Sequence, residues 1–348
     1  MGIPFIQKYR IAHYIYRQRK NGRRHFPLVL MLEPLFRCNL SCAGCGKVGY
    51  PEEILNKRLS VGECLSAAEE SGAPVVSIAG GESLIHDEMP QIVAGLTGMK
   101  RFVYLCTNGI LLKKHITSYN PSPYLTFSVH LDGRRELHDR ITGREGVFDR
   151  AVEAMDTLKA GGFRFTVNCT IYSGASAEET AEFFDFVLHR GVEGITVSPG
   201  YRYEEAPDKD LFLERAESKR LFREVLRIGR GRGWRFNHST LFVDFLAGNR
   251  GYTCSPWGTV TRNIFGWQRP CYLFADGYVE SIRSLLEETD WKRYGPGRNP
   301  RCECCMMHSG FEFSAISDMI AHPLRAFSVY LRGPATDGPL AGDPAESR

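Results

Sequence analysis

Residues 33–47 read EPLFRCNLSCAGCGK and follow directly on an apolar run over residues 28–33. A strand passing into a loop that carries Cys38, Cys42 and Cys45 in CxxxCxxC spacing lays out a metal-binding loop at the end of a first strand. Three thiolates can hold three irons of a cubane and leave the fourth open to an outside nitrogen or oxygen. Gly44 and Gly46 let so short a loop wrap a cluster. The competing assignment is a zinc knuckle. Structural zinc takes four protein ligands and this loop supplies three, so a 4Fe–4S cluster is the better match.

Outward from this loop the chain alternates. Further β-type runs occupy 74–79, 101–106, 124–131, 163–171 and 194–198, with helical patterns near 60–71, 87–97, 109–117, 145–161 and 176–190. Six strands alternating with helices make βαβ units and a parallel sheet. Right-handed crossovers curl such a sheet into a partial (β/α)6 TIM-like barrel. Its functional residues belong at the carboxyl ends of the strands. The rhythm stops near 200. Residues 202–250 read as helix and loop, 251–312 as a segment rich in Cys, Gly, Pro and Trp, 316–332 as a final helix and 333–348 as a disordered tail. The expected class is therefore α/β, a partial barrel with a C-terminal Cys-rich helical and loop extension. The expected divisions are 1–26, 27–200, 201–332 and 333–348.

The chain has 348 residues, 43% of them hydrophobic, enough for one large α/β domain and an appendage. A net charge of +4 makes no case for nucleic-acid binding. The charge is uneven, however. Residues 1–26 hold Lys8, Arg10, Arg17, Arg19, Lys20, Arg23 and Arg24 and no acidic residue. Within 5–20, Phe5, Ile6, Ile11, Ile15 and Tyr16 fall near helical spacing, which reads as a basic amphipathic helix. Such a helix suits either the domain's own body or an anionic membrane surface. No run reaches the ~20 apolar residues of a membrane span, and no secretory signal opens the chain. The expectation is a cytoplasmic protein, peripheral at the inner face of the membrane. Eleven cysteines in that setting point to metal ligands and free thiols, not disulfides.

The triad resembles that of the radical S-adenosylmethionine (SAM) superfamily, and other stations agree. The second strand ends in Gly80-Gly81-Glu82, similar to that superfamily's GGE motif, with Ser83 where Pro is usual. His130-Leu131-Asp132-Gly133 stands where SLDG is common. The resemblance implies SAM contacts from Gly80, Gly81, Glu82, Asn108, Ser128, His130, Asn168 and Ser198. It also implies reductive SAM cleavage to a 5′-deoxyadenosyl radical, with a flavodoxin or ferredoxin as electron donor. Independently, Cys106 shares one face of the third strand with Asn108, so a thiol points where Asn108 points. A weak S–H bond can give a hydrogen atom to a carbon radical, although a buried Cys is more often a small hydrophobe. Cys64 and Cys169 read as hydrophobes of that kind.

A closer resemblance spans residues 27–332. APVVSIAGGE, PSPYLTFSVHLDG, WRFNHS, FGWQRPCYL and LLEETDW resemble the adenosylhopane synthase family of bacterial hopanoid biosynthesis. It implies addition of the deoxyadenosyl radical to the side-chain alkene of diploptene, a triterpene. A carbon–carbon bond forms, SAM is consumed, and the thiol at Cys106 quenches the resulting tertiary radical. Trp257, Phe265 and Trp267 are candidates to line an apolar pocket. Gly109 and Ser309 depart from the family's usual Ala and Cys. They keep open a paralogue that abstracts hydrogen from another substrate. A non-enzymatic zinc-binding module is the other rival. Cys254, Cys271, Cys302 and Cys305 form a candidate second site for an auxiliary cluster or zinc, with Gly258, Gly266 and Trp267 marking the loop between. Cys304 and His308 are further candidates there, but adjacent Cys304 and Cys305 cannot easily share one metal.

Overall fold

A computed structural model describes residues 2–342 except 48, 204, 205 and 275. An N-terminal helix α1 (Phe5–Lys20) precedes six strands. These are β1 (Val29–Glu33), β2 (Val75–Ile78), β3 (Phe102–Thr107), β4 (Leu125–His130), β5 (Arg164–Ile171) and β6 (Ile195–Pro199). Helices 61–71, 89–98, 147–160 and 177–189 lie between them. All neighbouring pairs from β1 to β6 are parallel and in sequence order. That order winds every crossover onto one face, which is the partial-barrel arrangement expected.

The strands' two-residue period sorts the faces. Leu30, Leu32, Val76, Ile78, Val103, Leu105, Phe127, Val129, Val167 and Val197 are buried in the core beneath the helices. The alternate positions Met31, Glu33, Ser77, Tyr104, Cys106, Ser128, His130, Asn168, Thr196 and Ser198 line an interior cavity. Local signals hold the helices in place. Ser60 and Glu63 form a capping box at the start of helix 61–71, and Gly72, at φ +64°, ends it.

The sheet is larger than the sequence suggests. β7 (Thr259–Asn263) pairs in parallel with β1, from Val29↔Thr259 to Glu33↔Asn263. β8 (Gly266–Gln268) and β9 (Tyr278–Val279) follow antiparallel, completing the order β6-β5-β4-β3-β2-β1-β7-β8-β9. The stretch expected as loop thus extends the barrel wall. Gly258 immediately precedes β7, and Gly266 and Trp267 lie within β8.

The expected final helix over 316–332 is two helices, His308–Ala321 and Pro323–Arg332. Proline lacks the N–H that would continue the first helix and suits the first turn of the second. Residues 333–342, expected to be disordered, lie against the body. Ala341 N–H donates to Gly248 O at 2.7 Å, Lys219 Nζ to Ala341 O at 2.9 Å and Arg223 Nη1 to Gly338 O at 2.7 Å. Composition could not show that basic side chains far upstream capture these carbonyls. The remainder of the expected tail, 343–348, lies outside the described residues.

Helix α1 packs on the domain's own body, one of the two placements expected for it. Its Gln7 and Ile15 are buried, and Ile11 and Ile15 pack with Phe26, Leu28, Phe313 and Ile316. A fully buried Ile contributes about 1.5–3 kcal/mol, enough to hold the helix on the body. The opposite face leaves Phe5, Tyr9 and Tyr16 exposed.

Candidate active site

The cluster loop is anchored from two sides and closed by a turn of its own. Ala43 N–H donates to Ile141 O at 2.8 Å, Asp208 N–H to Ala43 O at 3.2 Å, and Cys45 N–H closes a turn on Cys42 O at 3.0 Å. A side chain at Gly44 would strike the Tyr172 ring, and one at Gly46 the Tyr203 ring. The two tyrosines therefore form the wall against which the loop is pressed.

The GGE segment meets the same loop. Ala79, Gly81 and Glu82 donate their N–H groups to Leu32 O, Leu35 O and Arg37 O at 2.8, 3.0 and 2.9 Å. A Cβ on Gly80 would collide with Leu35 O, and one on Gly81 with Arg37 O and Phe36 O. Gly80 also sits at φ +110°, where only glycine is comfortable. Both glycines line the cavity, but their nearest obligation is to let two backbones touch. Glu82 is buried and turned inward. It accepts from Thr107 Oγ1 at 2.7 Å, from Asn108 N–H at 2.8 Å and from Leu84 N–H at 3.1 Å. Burial raises its pKa above the ordinary carboxylate range despite these donors.

Asn108 Nδ2 donates to Asn39 Oδ1 at 2.7 Å, tying the end of β3 to the residue after Cys38. Cys38, Cys42 and Cys45 all face the cavity as free thiols. Burial pushes Cys38 up to about 11 and also raises Cys42. Lys47 N–H donates to Cys45 Sγ at 3.4 Å. Among the described residues, no three His, Cys, Asp or Glu converge closely enough for a single metal ion. Three cavity-facing thiols, one short of the four protein ligands of structural zinc, suit a cluster better than zinc, and the open cavity beyond them suits an exogenous ligand on a fourth iron.

The cavity of roughly 470 Å³ changes character along its length. At the strands' carboxyl ends it is polar. His130 Nε2 pairs with Asp132 Oδ2 at 2.7 Å, and Asp132 Oδ1 accepts from Thr170 N–H at 2.7 Å. Burial opposes charge on His130, but Asp132 outweighs it and the pKa rises. Ser198 Oγ bonds His308 Nδ1 at 2.9 Å. Burial and then His238 push His308 down to about 3, so it is neutral near pH 7. Towards the strands' amino ends the lining is mostly apolar, Ile3, Ile11, Leu28, Val29, Val75, Phe313 and Ile316, with polar Gln7 and Thr259 among them. Cys106 lies between these halves, with Ser77 Oγ 3.7 Å from its Sγ and burial raising its pKa.

All the residues expected from the sequence around SAM therefore surround one cavity: Gly80, Gly81, Glu82, Asn108, Ser128, His130, Asn168, Ser198 and the triad. Trp257, Phe265 and Trp267 do not line it. Trp267 is fully buried, with Nε1 donating to Glu70 Oε2 at 3.2 Å. Trp257 packs on His25 and Trp291, and Phe265 on Phe36, Tyr50 and Tyr278. Aromatic type alone cannot say which face a ring occupies. A second polar group escaped the sequence reading altogether. Lys47 Nζ pairs with buried Glu33 Oε2 at 3.0 Å, and Asn263 Nδ2 donates to Gln268 Oε1 at 2.7 Å and reaches Glu33 at 3.4 Å. No local pattern links residues so far apart in the chain.

Residues 32–187 match the family model described as "Radical SAM superfamily", and residues 195–329 match "Domain of unknown function (DUF3463)". Molybdenum cofactor biosynthesis protein 1 of Drosophila melanogaster is 28% identical over 179 residues, covering 49% of this chain and 31% of that protein. AdoMet-dependent heme synthase of Methanosarcina barkeri is 28% identical over 170 residues, covering 47% and 48%. The chain thus spans less than half the length of either. Streptococcus suis SuiB bound to S-adenosylmethionine superposes with a TM-score of 0.66 at 17% identity, over 85% of this chain and 75% of SuiB. A structure of SuiB with the precursor peptide SuiA superposes similarly, at 0.65. At such identity the likeness is one of fold.

Proposed function

With a radical SAM domain over residues 32–187, the chain belongs to the radical SAM superfamily, and we propose that it joins the 5′-deoxyadenosyl group of SAM to the side-chain alkene of a hopene such as diploptene. Its cofactors are a 4Fe–4S cluster, which Cys38, Cys42 and Cys45 would hold, and SAM. When bound, they supply a primary carbon radical once a flavodoxin- or ferredoxin-class protein delivers an electron. The residues of the chain position and shield. Asn108 fixes the loop through Asn39, while His130, Asn168 and Ser198 offer polar groups for the carboxylate, ribose and adenine of SAM.

The observation that carries this reading is Cys106. A thiol stands where the polar half of the cavity gives way to the apolar half. That is where an alkene end held from below meets SAM held from above. The lipid class also accounts for the outer surface. The stripe Phe5, Tyr9 and Tyr16 on α1 is flanked by Lys8, Arg17, Arg19 and Lys20. On the helix Pro323–Arg332, Leu324, Phe327 and Leu331 are exposed at i, i+3, i+7 spacing, between Arg325 and Arg332. Neither helix contains an acidic residue. Apolar stripes rimmed by cations suit an anionic bilayer surface, and α1 also supplies Gln7 and Ile11 to the cavity lining. Among the described residues no helix is long and apolar enough to cross a membrane, so the contact is peripheral.

The product assay decides the chemistry. Reconstituted protein, SAM, reductant and diploptene yield a product with the mass of the alkene plus deoxyadenosine. SuiB with a bound peptide favours a second reading, hydrogen abstraction from a peptide. Free 5′-deoxyadenosine with no adduct would decide for that class. Vesicle sedimentation tests the surface separately. Phosphatidylglycerol vesicles bind the chain, and Phe5→Ser with Phe327→Ser weakens binding by about tenfold or more, since tenfold is only about 1.4 kcal/mol. Equal binding by the variant would reject these stripes as the contact.

A further inference from the structure

We propose that Lys47 and Glu33 set the reduction potential of the cluster that Cys38, Cys42 and Cys45 would hold, Lys47 as a positive charge fixed beside Cys45 and Glu33 as the partner that limits it. Neither is a ligand; both act through the charge they place against the loop.

The pair is held on every side. Glu33 ends β1, is 3% exposed and lines the cavity. Lys47 follows Cys45 by two residues, and its backbone N–H donates to Cys45 Sγ at 3.4 Å. Its ammonium lies 3.0 Å from Glu33 Oε2 and 5.1 Å from the centre of the Phe36 ring. Phe36 is itself stacked on Tyr50, with ring centres 4.9 Å apart. The second half of the chain supports the carboxylate. Asn263 stands opposite Glu33 in the β1–β7 pairing and reaches it at 3.4 Å. Asn263 is fixed by Gln268, whose Nε2 donates to Cys271 O at 3.1 Å. Cys271 lines a small separate void with Cys254, Cys302 and Cys305. Cys304 Sγ turns instead to Glu214 Oε2 at 2.9 Å.

The surroundings show what such a charge offsets. Burial opposes thiolates at Cys38 and Cys42, and carboxylates add to it, Glu82 at Cys38 and Asp132 at Cys42. Cys45 lies within electrostatic reach of Lys47. Among the described residues lining the cavity, Lys47 is the only lysine or arginine. It is therefore the one permanent cation there to face an anionic cluster, in an interior where charges interact several-fold more strongly than in water. Stability does not account for the pair, because a well-packed apolar pair of similar size would serve as well or better. Reduction adds negative charge to the cluster, and net charge and hydrogen bonds to sulfur are among the factors that set iron–sulfur potentials. A fixed cation favours the reduced form and raises the potential; a carboxylate lowers it.

Redox titration tests this without any lipid, so a failed diploptene assay leaves it standing. Full-length protein is reconstituted anaerobically, iron per chain is counted, and reduction is followed by EPR in the signal that changes when SAM is added. That change marks the cluster with an open iron. For Lys47→Met the midpoint is expected to fall: at a fixed potential the reduced-to-oxidised ratio drops at least about tenfold, which is about 59 mV for one electron. Glu33→Gln leaves Lys47 unopposed and moves the ratio the other way. Lys47→Arg keeps the wild-type ratio, which separates charge from packing. Opposite signs distinguish tuning from damage to the loop, which would shift both variants alike or strip their iron. Shifts of one sign, iron lost from both variants, or no shift in either would overturn the proposal. So would a Lys47→Met protein of wild-type potential that binds SAM more weakly, since Lys47 would then be a SAM contact.

Discussion

Gly81→Ala yields protein that takes up little iron and unfolds at a lower temperature. The reason is contact, not backbone strain. The added methyl would lie inside the van der Waals shell of Arg37 O and Phe36 O, and the neighbouring N–H groups of Gly81 and Glu82 bond Leu35 O and Arg37 O. Neither side can retreat without breaking that ladder, and the loop that would move begins at Cys38. Overpacking of this kind costs about 1–3 kcal/mol. At about 1.4 kcal/mol per decade, the upper end lowers the loaded fraction roughly a hundredfold. Iron per chain after anaerobic reconstitution and Tm in the apo form measure the two consequences. An alanine variant with wild-type iron content would show that the loop has room, contrary to the geometry.

Cys106→Ala separates making a radical from ending one. SAM cleavage continues, because Cys106 is no part of the triad, while formation of the saturated adduct falls at least about tenfold, the effect of 1.4 kcal/mol on the barrier. In the proposed reaction the Sγ–H bond would break in the intact protein and its hydrogen atom would go to the product's tertiary carbon. The sulfur radical left behind takes one electron from the flavodoxin- or ferredoxin-class donor and one proton. Ser77 Oγ at 3.7 Å and the Ser128 hydroxyl orient the thiol. Burial keeps it protonated, which a hydrogen-atom donor requires. In the variant the product carbon takes its hydrogen from solvent-derived or adventitious donors, so the new stereocentre loses uniformity. Product chirality and the ratio of adduct to 5′-deoxyadenosine are the readouts. A variant that matches the wild type in both removes Cys106 from the reaction.

What was legible in the chain was whatever repeats locally. The six parallel strands announced themselves by β-type runs between helical patterns, and the triad by its spacing. The alternation that sends Leu105 outward and Cys106 inward could be read from period two alone. The misreadings have a common cause. TVTRN over 259–263 is too polar and short to declare itself a strand; it becomes one because β1 offers a free edge 230 residues away. Gly80 and Gly81 line the cavity as expected of SAM contacts, but their tightest neighbours, carbonyls of the cluster loop, could not be read from the motif. The polar group around Lys47 and Glu33 draws on both halves of the chain and exists only after folding.

The parallel seam between β1 and β7 bears on how the molecule can be divided. The stretch that matches the radical SAM model ends before β7 begins, so the boundary drawn by sequence families cuts through one continuous sheet. A chain stopped after β6 would expose the whole hydrogen-bonding edge of β1, a buried strand of the sequence VLMLE, as an adhesive seam for other chains. It would also lose the partner that sits beside the strand from which the cluster loop departs. The second half is thus a staple on the first, and the two must be inherited, expressed and unfolded together. Because that staple joins residues so distant in sequence, its closure should come late in folding.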